Sequence, residues 1–206
     1  MFFGSVNGMN SADKIKLILA SASPRRAEIL RTAGIPFEAR AMHVDESLRT
    51  GEMPGEYVRR LALDKARAAA KERTGPGDFL FLGADTVVVA AGEILGKPAS
   101  EEDARRMLRR VAGRVHEVHT GLALVRHPGG EERVAEEITQ VTFAPLTEVE
   151  IENYVATGEP FGKAGAYAIQ GIGGRYIKRI EGCYFNVVGL PLARLWSMLR
   201  EFGCQD

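Results

Sequence analysis

The apolar positions of this chain fall into short runs separated by amphipathic stretches. Lys16 to Ala20 (KLILA) is a compact apolar run that predicts a buried strand. Ser21-Ala22-Ser23-Pro24 then turns into a helix from Arg25 to about Thr32, with Ser23 suited to the N-cap, Pro24 to the first helical position and Gly34 to the stop. Val58, Leu61, Ala62, Ala66 and Ala69 recur at helical spacing and predict a second helix from about Glu56 to Arg73. Phe79 to Leu82 reads as a further buried strand ending at Gly83-Ala84-Asp85-Thr86. Val87 to Ala90 and Glu93 to Leu95 flank Ala91-Gly92, a hairpin signal.

Downstream, Ser100 with Asp103 caps a helix to Ala112 that Gly113 stops. His116 to Val125 and Arg133 to Phe143 read as long antiparallel strands around Pro128-Gly129-Gly130. Thr147 with Glu150 forms a capping box for a helix ending near Gly158. A Gly-rich stretch, a strand from Tyr176 to Ile180 and a helix from Pro191 to Phe202 complete the pattern. Parallel units with helical crossovers and one antiparallel hairpin predict an α/β protein, a mixed twisted sheet flanked by helices. No repeat interrupts it, so residues 15–206 are expected to form one domain behind an irregular extension, residues 1–14, in which Met9 offers an alternative start.

Composition narrows the function. The 206 residues suffice for a core without staples, and 45% hydrophobic with 26% charged residues is the ordinary globular balance. Lys+Arg 27 against Asp+Glu 27 argues against a nucleic-acid binder held by bulk positive charge, yet leaves room for a local basic cluster that takes a small anion. No apolar run is long enough to span a membrane and the N-terminus lacks a secretory pattern, so the cytoplasm is the expected compartment. Cys183 and Cys204 lie in unrelated contexts and read as reduced thiols.

Several segments carry candidate chemistry. A strand feeding directly into a helix start presents free N–H groups. Ser21, Ser23, Arg25 and Arg26 add donors suited to phosphate, although a capped helix with two solvated arginines has the same pattern. Asp85, just past a buried strand, suits a divalent cation or a general base, or else a turn cap. Asp45-Glu46 supplies further carboxylates, and Glu46 with Asp85 would suffice for a hard cation that also takes phosphate oxygens. Lys65 shares the apolar stripe of its helix, which calls for a partner or for snorkelling. Lys97 stands in the stiff turn Gly96-Lys97-Pro98 near the Asp85 hairpin. Gln170, in a Gly-rich stretch, can read a base edge or simply be solvated, and Asn186 is placed to fix a loop. His116 and His119, three apart on a strand, point to opposite faces and do not make a metal pair.

Taken in order, these pieces resemble the Maf family, whose fold is related to that of the inosine triphosphatases. The resemblance rests on Ser21-Ala22-Ser23-Pro24-Arg25-Arg26, Asp45-Glu46, Lys65-Ala66, Gly83-Ala84-Asp85-Thr86-Val87-Val88, Gly96-Lys97-Pro98, Thr120-Gly121, Lys163 through Gly171, and Asn186 through Pro191. It implies a central cleft and a nucleoside triphosphate substrate cut between the α and β phosphates with a divalent metal, Mg²⁺ or Mn²⁺. Asp85 matches the proton acceptor and Glu46 a residue near metal and water. Arg25, Lys65 and Lys97 match phosphate-side groups, and Arg25, Thr86 and Gln170 match positions that distinguish substrate classes. Arg25, Ala84-Asp85-Thr86 and Ala166-Tyr167-Ala168-Ile169-Gln170 resemble the dTTP/UTP branch. The branch associated with 7-methyl-GTP instead carries Trp after Ser-Pro, Ser-Asp-Gln around the aspartate and an Ala-Gly-Ser-Phe type of loop. A homodimer is also implied. So is an alternative role as a regulatory interaction protein of septum formation.

Overall fold

A computed structural model describes residues 15–74 and 76–204 of the chain, so the expected extension at residues 1–14 lies outside the described residues. The element order is β1 (Lys16–Leu19), α1 (Pro24–Thr32), β2 (Glu38–Ala39), α2 (Pro54–Lys71), β3 (Phe79–Ala90), β4 (Glu93–Leu95), α3 (Glu101–Val111), β5 (Val115–His127), β6 (Glu132–Phe143), α4 (Glu148–Ala156), β7 (Ile177–Glu181), α5 (Tyr184–Val188) and α6 (Leu192–Glu201), with two 3₁₀ turns, Ala164–Ala166 and Ile172–Tyr176, between α4 and β7. The expected α/β fold with a mixed sheet is observed. The strand order is β2-β1-β3-β5-β6-β7, with β4 paired to β3.

The sheet is more antiparallel than the sequence pattern predicts. Only β1–β2 and β1–β3 are parallel, while β3–β4, β3–β5, β5–β6 and β6–β7 are antiparallel. The expected break after Leu82 is also corrected: β3 runs unbroken from Phe79 to Ala90, and Asp85 lies within it, opposite Gly121 of β5. Gly83-Ala84 mimics a turn in sequence, yet the ladder to β5 crosses it without interruption. Two short elements carry no readable period. They are the exposed two-residue β2 and the single-turn α5, which reads as a loop. The last strand begins at Ile177 because Tyr176 closes the preceding 3₁₀ turn.

Strand alternation distributes the core over both faces. Phe79 and Phe81 of β3 pack with Ala62, Ala66 and Ala69 of α2, while Leu80, Leu82 and Ala84 pack with Ile29 and Leu30 of α1 and Leu195 and Leu199 of α6. Residues 83 and 85 therefore look toward α2, and residue 86 toward α1. A third cluster joins α3, α4 and the far ends of β5 and β6 around Leu108, Val111, Phe143 and Tyr154.

Two glycines set how closely α2 lies on the sheet. A Cβ on Gly83 would come 1.9 Å from the Ala62 carbonyl oxygen, and one on Gly121 would come 2.2 Å from that of Val58. Both contacts are with helix backbone, which cannot rotate away. Gly83 is thus a close-approach glycine, not a turn glycine. Among the described residues, no helix is long and apolar enough to cross a membrane, and Cys183 and Cys204 are both free thiols.

Gly83→Ala is expected to lift α2 from β3 and to cost about 3 kcal/mol in urea unfolding, the upper end of ordinary overpacking. Gly96→Ala, where an added Cβ meets nothing within 4 Å, serves as the stability control and should stay near the parent. Equal midpoints for the two variants would refute the close-packing role.

Candidate active site

The cleft begins as a gap in the sheet. On one side of β3, β1 pairs with Phe79 to Leu82 and β4 pairs with Val88 to Ala90. Between these partners the stretch 83–87 has no strand beside it, because the chain turns out of β1 at Ala20, whose N–H still bonds the Leu82 carbonyl at 2.8 Å. Asp85 and Thr86 occupy this gap, and their alternation aims one carboxylate toward α2 and one hydroxyl toward α1.

Lys65 reaches Asp85 from α2. Its Nζ lies 2.6 Å from Asp85 Oδ1 and 2.6 Å from Glu46 Oε1, and it is only 7% exposed, so the lysine on the apolar stripe is buried because it is paired. Glu46 comes from an irregular loop clamped onto α2. The Tyr57 hydroxyl donates to the Glu46 carbonyl at 2.7 Å, and Arg60 donates to the Ser47 carbonyl at 3.0 Å while gripping the Glu52 carboxylate at 2.6 and 2.8 Å. Arg60 holds the Glu52 carboxyl down at about 2. Asp45 separates from Glu46 and turns back to accept from the Ser47 N–H at 2.9 Å. Burial raises the Glu46 pKa, but the Lys65 hydrogen bond and the charges of Lys65, Lys97 and Arg26 outweigh it and leave the carboxyl below its ordinary range. Glu46 is therefore an anion near neutral pH.

On the α1 side, Ser23 caps the helix, its hydroxyl accepting from the Arg26 N–H at 3.5 Å, and Ser21 Oγ accepts from the Ser23 N–H at 3.2 Å. Arg26 is buried and donates to protein acceptors from each of its three nitrogens. It donates to the Gly189 carbonyl at 2.8 Å, Ser21 Oγ at 3.1 Å and Thr86 Oγ1 at 3.0 Å. Thr86 lies 3.0 Å from Thr120 Oγ1, which donates to the Asn186 carbonyl at 3.2 Å. The Asn186 amide in turn donates to the Val118 carbonyl and to Thr139 Oγ1, so this residue ties α5 to β5 and β6. Arg26 builds the cleft, whereas Arg25, the next residue back, stays half-buried on its wall.

Ten of the singled-out residues meet here, and Asp45 and Asn186 do not. Ser21, Ser23, Arg25, Arg26, Glu46, Lys65, Asp85, Thr86, Lys97 and Gln170 line one cavity of about 610 Å³. Sequence reading gave no role to three further groups on its wall, Lys163, Tyr167 and His43. Lys163 and Tyr167 stand in the Gly-rich motif, which was the available signal; nothing in the sequence marks His43. Five Lys or Arg side chains against two carboxylates line the cavity of a chain whose formal net charge is zero. Lys65 answers both carboxylates, and among the described residues no carboxylate lies within ion-pair distance of Arg25 or Lys97. The cleft thus carries excess positive charge around an acid pair. His116 and His119 indeed point apart. His116 bonds the Tyr167 hydroxyl at 2.8 Å behind the cleft wall, and His119 bonds Glu136 at 2.7 Å.

With the site in place, comparison with known proteins identifies the family. Residues 16–202 match the family model described as Maf-like protein. The chain belongs to that family. A dTTP/UTP pyrophosphatase of Symbiobacterium thermophilum is 54% identical over 188 residues, covering 91% of this chain and 94% of its own. Proteins of the same name from Koribacter versatilis and Moorella thermoacetica are 52% and 53% identical, each covering 91% of this chain and 94% and 95% of their own. A dITP/XTP pyrophosphatase structure from Mycobacterium abscessus aligns with 64% of this chain and 76% of its own at 22% identity and a TM-score of 0.39, too loose a likeness to argue from.

Burial holds the His116 pKa down at about 4 from an ordinary 6.5. Between these values the unfolded chain binds a proton that the folded Maf-like domain refuses, so stability falls as pH drops through this window and the loss is complete near pH 4. The effect is on the order of 3 kcal/mol at most. His116→Gln should flatten that part of the pH–stability curve in urea titrations. An unchanged slope would show that His116 is not the group responsible.

Proposed function

We infer that this protein is a nucleoside triphosphate pyrophosphatase that hydrolyses dTTP and UTP to the monophosphate and pyrophosphate. The observation that carries the reading is the Lys65 ammonium set 2.6 Å from both Glu46 and Asp85, at the base of a cleft with excess positive charge. The names carried by relatives at 52–54% identity over nearly the whole chain support the substrate class.

The reading includes a divalent cation, Mg²⁺ or Mn²⁺, held by Glu46 and Asp85. Each carboxylate gives one oxygen to Lys65 Nζ, which leaves Glu46 Oε2 and Asp85 Oδ2 for a cation, and among the described residues no group of three or more His, Cys, Asp or Glu forms an all-protein cage. That donor set fits a hard cation that completes its shell with phosphate oxygens and water. When bound, it would supply neutralisation of phosphate charge.

The chain's own residues have distinct tasks. Arg25, Lys97 and the Ser23 helix start hold the phosphates, where positioning and charge stabilisation carry most of phosphoryl-transfer catalysis. Asp85, oriented by Lys65, accepts a proton from the water that attacks the α-phosphorus, and pyrophosphate leaves. Glu46 holds the same ammonium and keeps the acid pair together. Thr86 and Gln170 face the nucleoside. The reading is completed by a cytoplasmic homodimer that takes no nucleic acid.

Asp85→Asn should keep the parent circular dichroism spectrum and lose about a hundredfold or more in turnover of UTP, followed by pyrophosphate release. Near-normal turnover would remove Asp85 from the role. Across a panel of nucleoside triphosphates, the highest kcat/KM is expected for dTTP and UTP. A purine nucleotide leading the panel would overturn the assigned substrate class. Mn²⁺ titrated calorimetrically should bind measurably in the presence of a nonhydrolysable UTP analogue and lose that binding in Glu46→Gln; identical isotherms for parent and variant would exclude Glu46 as a ligand.

A further inference from the structure

Behind the wall that carries Gln170 lies a carboxylate to which none of the preceding roles applies. Glu159 follows α4, and its side chain accepts three hydrogen bonds. Oε1 takes the Tyr154 hydroxyl at 2.7 Å and the Gly173 N–H at 2.9 Å, and Oε2 takes the Ile172 N–H at 2.8 Å. Tyr154 is fully buried, and its hydroxyl accepts from the Ala168 N–H at 3.2 Å. The backbone is therefore gripped on both sides of Ile169-Gln170, at residue 168 by Tyr154 and at residues 172 and 173 by Glu159.

The glycines in this segment are dictated by the same contact. A Cβ on Gly171 would fall 2.1 Å from Glu159 Oε2, and one on Gly173 would fall 2.4 Å from the Tyr154 hydroxyl. Glu159 also acts through its backbone. Its carbonyl accepts from Lys163 Nζ at 2.7 Å, with the Phe161 carbonyl at 3.2 Å, which fixes a second side chain of the same wall. Burial and the nearby Arg25 charge lower the Lys163 pKa, and Glu159 partly offsets them. One acidic residue thus organises the turn to Lys163 and the loop to Gln170.

We propose that Glu159, with Tyr154, is a positioning residue for substrate recognition: it holds the 168–173 wall so that Gln170 meets the nucleoside at a set distance. The proposal rests on the reading of Gln170 given above. Glu159 touches no reacting atom. Its loss acts on substrate affinity and leaves the chemical step at Asp85 in place. Glutamine at this position supplies one acceptor where two oxygens accept three donors, and its NH₂ opposes a backbone N–H.

The test is a double-mutant cycle on UTP hydrolysis with Glu159→Gln and Gln170→Ala. Glu159→Gln is expected to raise KM about tenfold with kcat within about threefold, and the double variant should show no more than the Gln170→Ala effect, since residues acting through one another are not additive. Additive effects, or a fall in kcat at constant KM, would overturn the positioning role while leaving Gln170 in recognition. A Gln170→Ala variant with parent kinetics would overturn both together, and is told apart by that single measurement. Should Glu159→Gln fail to fold, Tyr154→Phe keeps the ring and removes only the bridging hydroxyl. It must reproduce the KM rise and its absorption by Gln170→Ala, and parent KM in that variant would sink the proposal.

Discussion

A single ammonium group, Lys65 Nζ, holds together three pieces of chain that are remote in sequence. It joins the loop bearing Glu46, the helix α2 and the central strand β3 at 2.6 Å contacts in a largely buried position. Two carboxylates this close repel one another, and a charge taken out of water is costly unless it is paired. The lysine answers both costs at once by setting one ammonium against both carboxylates. Its position depends in turn on packing that involves no charge. Gly83 and Gly121 allow the backbone of α2 to lie directly on β3 and β5, and a methyl group at either place would meet helix backbone at 1.9 or 2.2 Å.

Topology makes the opening above this pair. β1 and β4 flank the same edge of β3 but leave the stretch 83–87 between them without a neighbour. Side chains from both layers enter the gap: Asp85 belongs to the α2 face and Thr86 to the α1 face. Arg26 secures the second face, joining the β1–α1 turn, β3 and the C-terminal end of α5 through Ser21, Thr86 and Gly189. The two successive arginines consequently have unlike environments. One is buried and bonded into the wall, and its neighbour stays half-buried on the surface of the cleft.

Charge balance over the whole molecule conceals this site. Equal numbers of acidic and basic residues give a formal net charge of zero, while the cleft gathers five cations and two acids. Outside the cleft many charges are matched one to one, in pairs such as Arg105 with Glu152 and Arg67 with Glu132. Pairs of this kind, near the surface, contribute little to stability.

The sequence by itself determined the helices, their caps and most strands, because these depend on local periodicity and on side chains within a few residues of the backbone they satisfy. Ser23, Ser100 and Thr147 all cap as their spacing indicates. The ordered motifs also named candidate residues, ten of which line one cavity, while Asp45 and Asn186 do not. Only the tertiary structure decided what each does to its neighbours. Gly83 looked like the end of a strand, because the helix backbone it accommodates, at Ala62, is remote in sequence. Arg25 and Arg26 were equivalent until one was buried. Glu159 carried no signal at all, since its three donors come from Tyr154 on α4 and from a loop more than a dozen residues downstream. Local rules fix short-range hydrogen bonds and the apolar face; long-range contacts are set by how those faces stack, and this chain's chemistry is built from the latter.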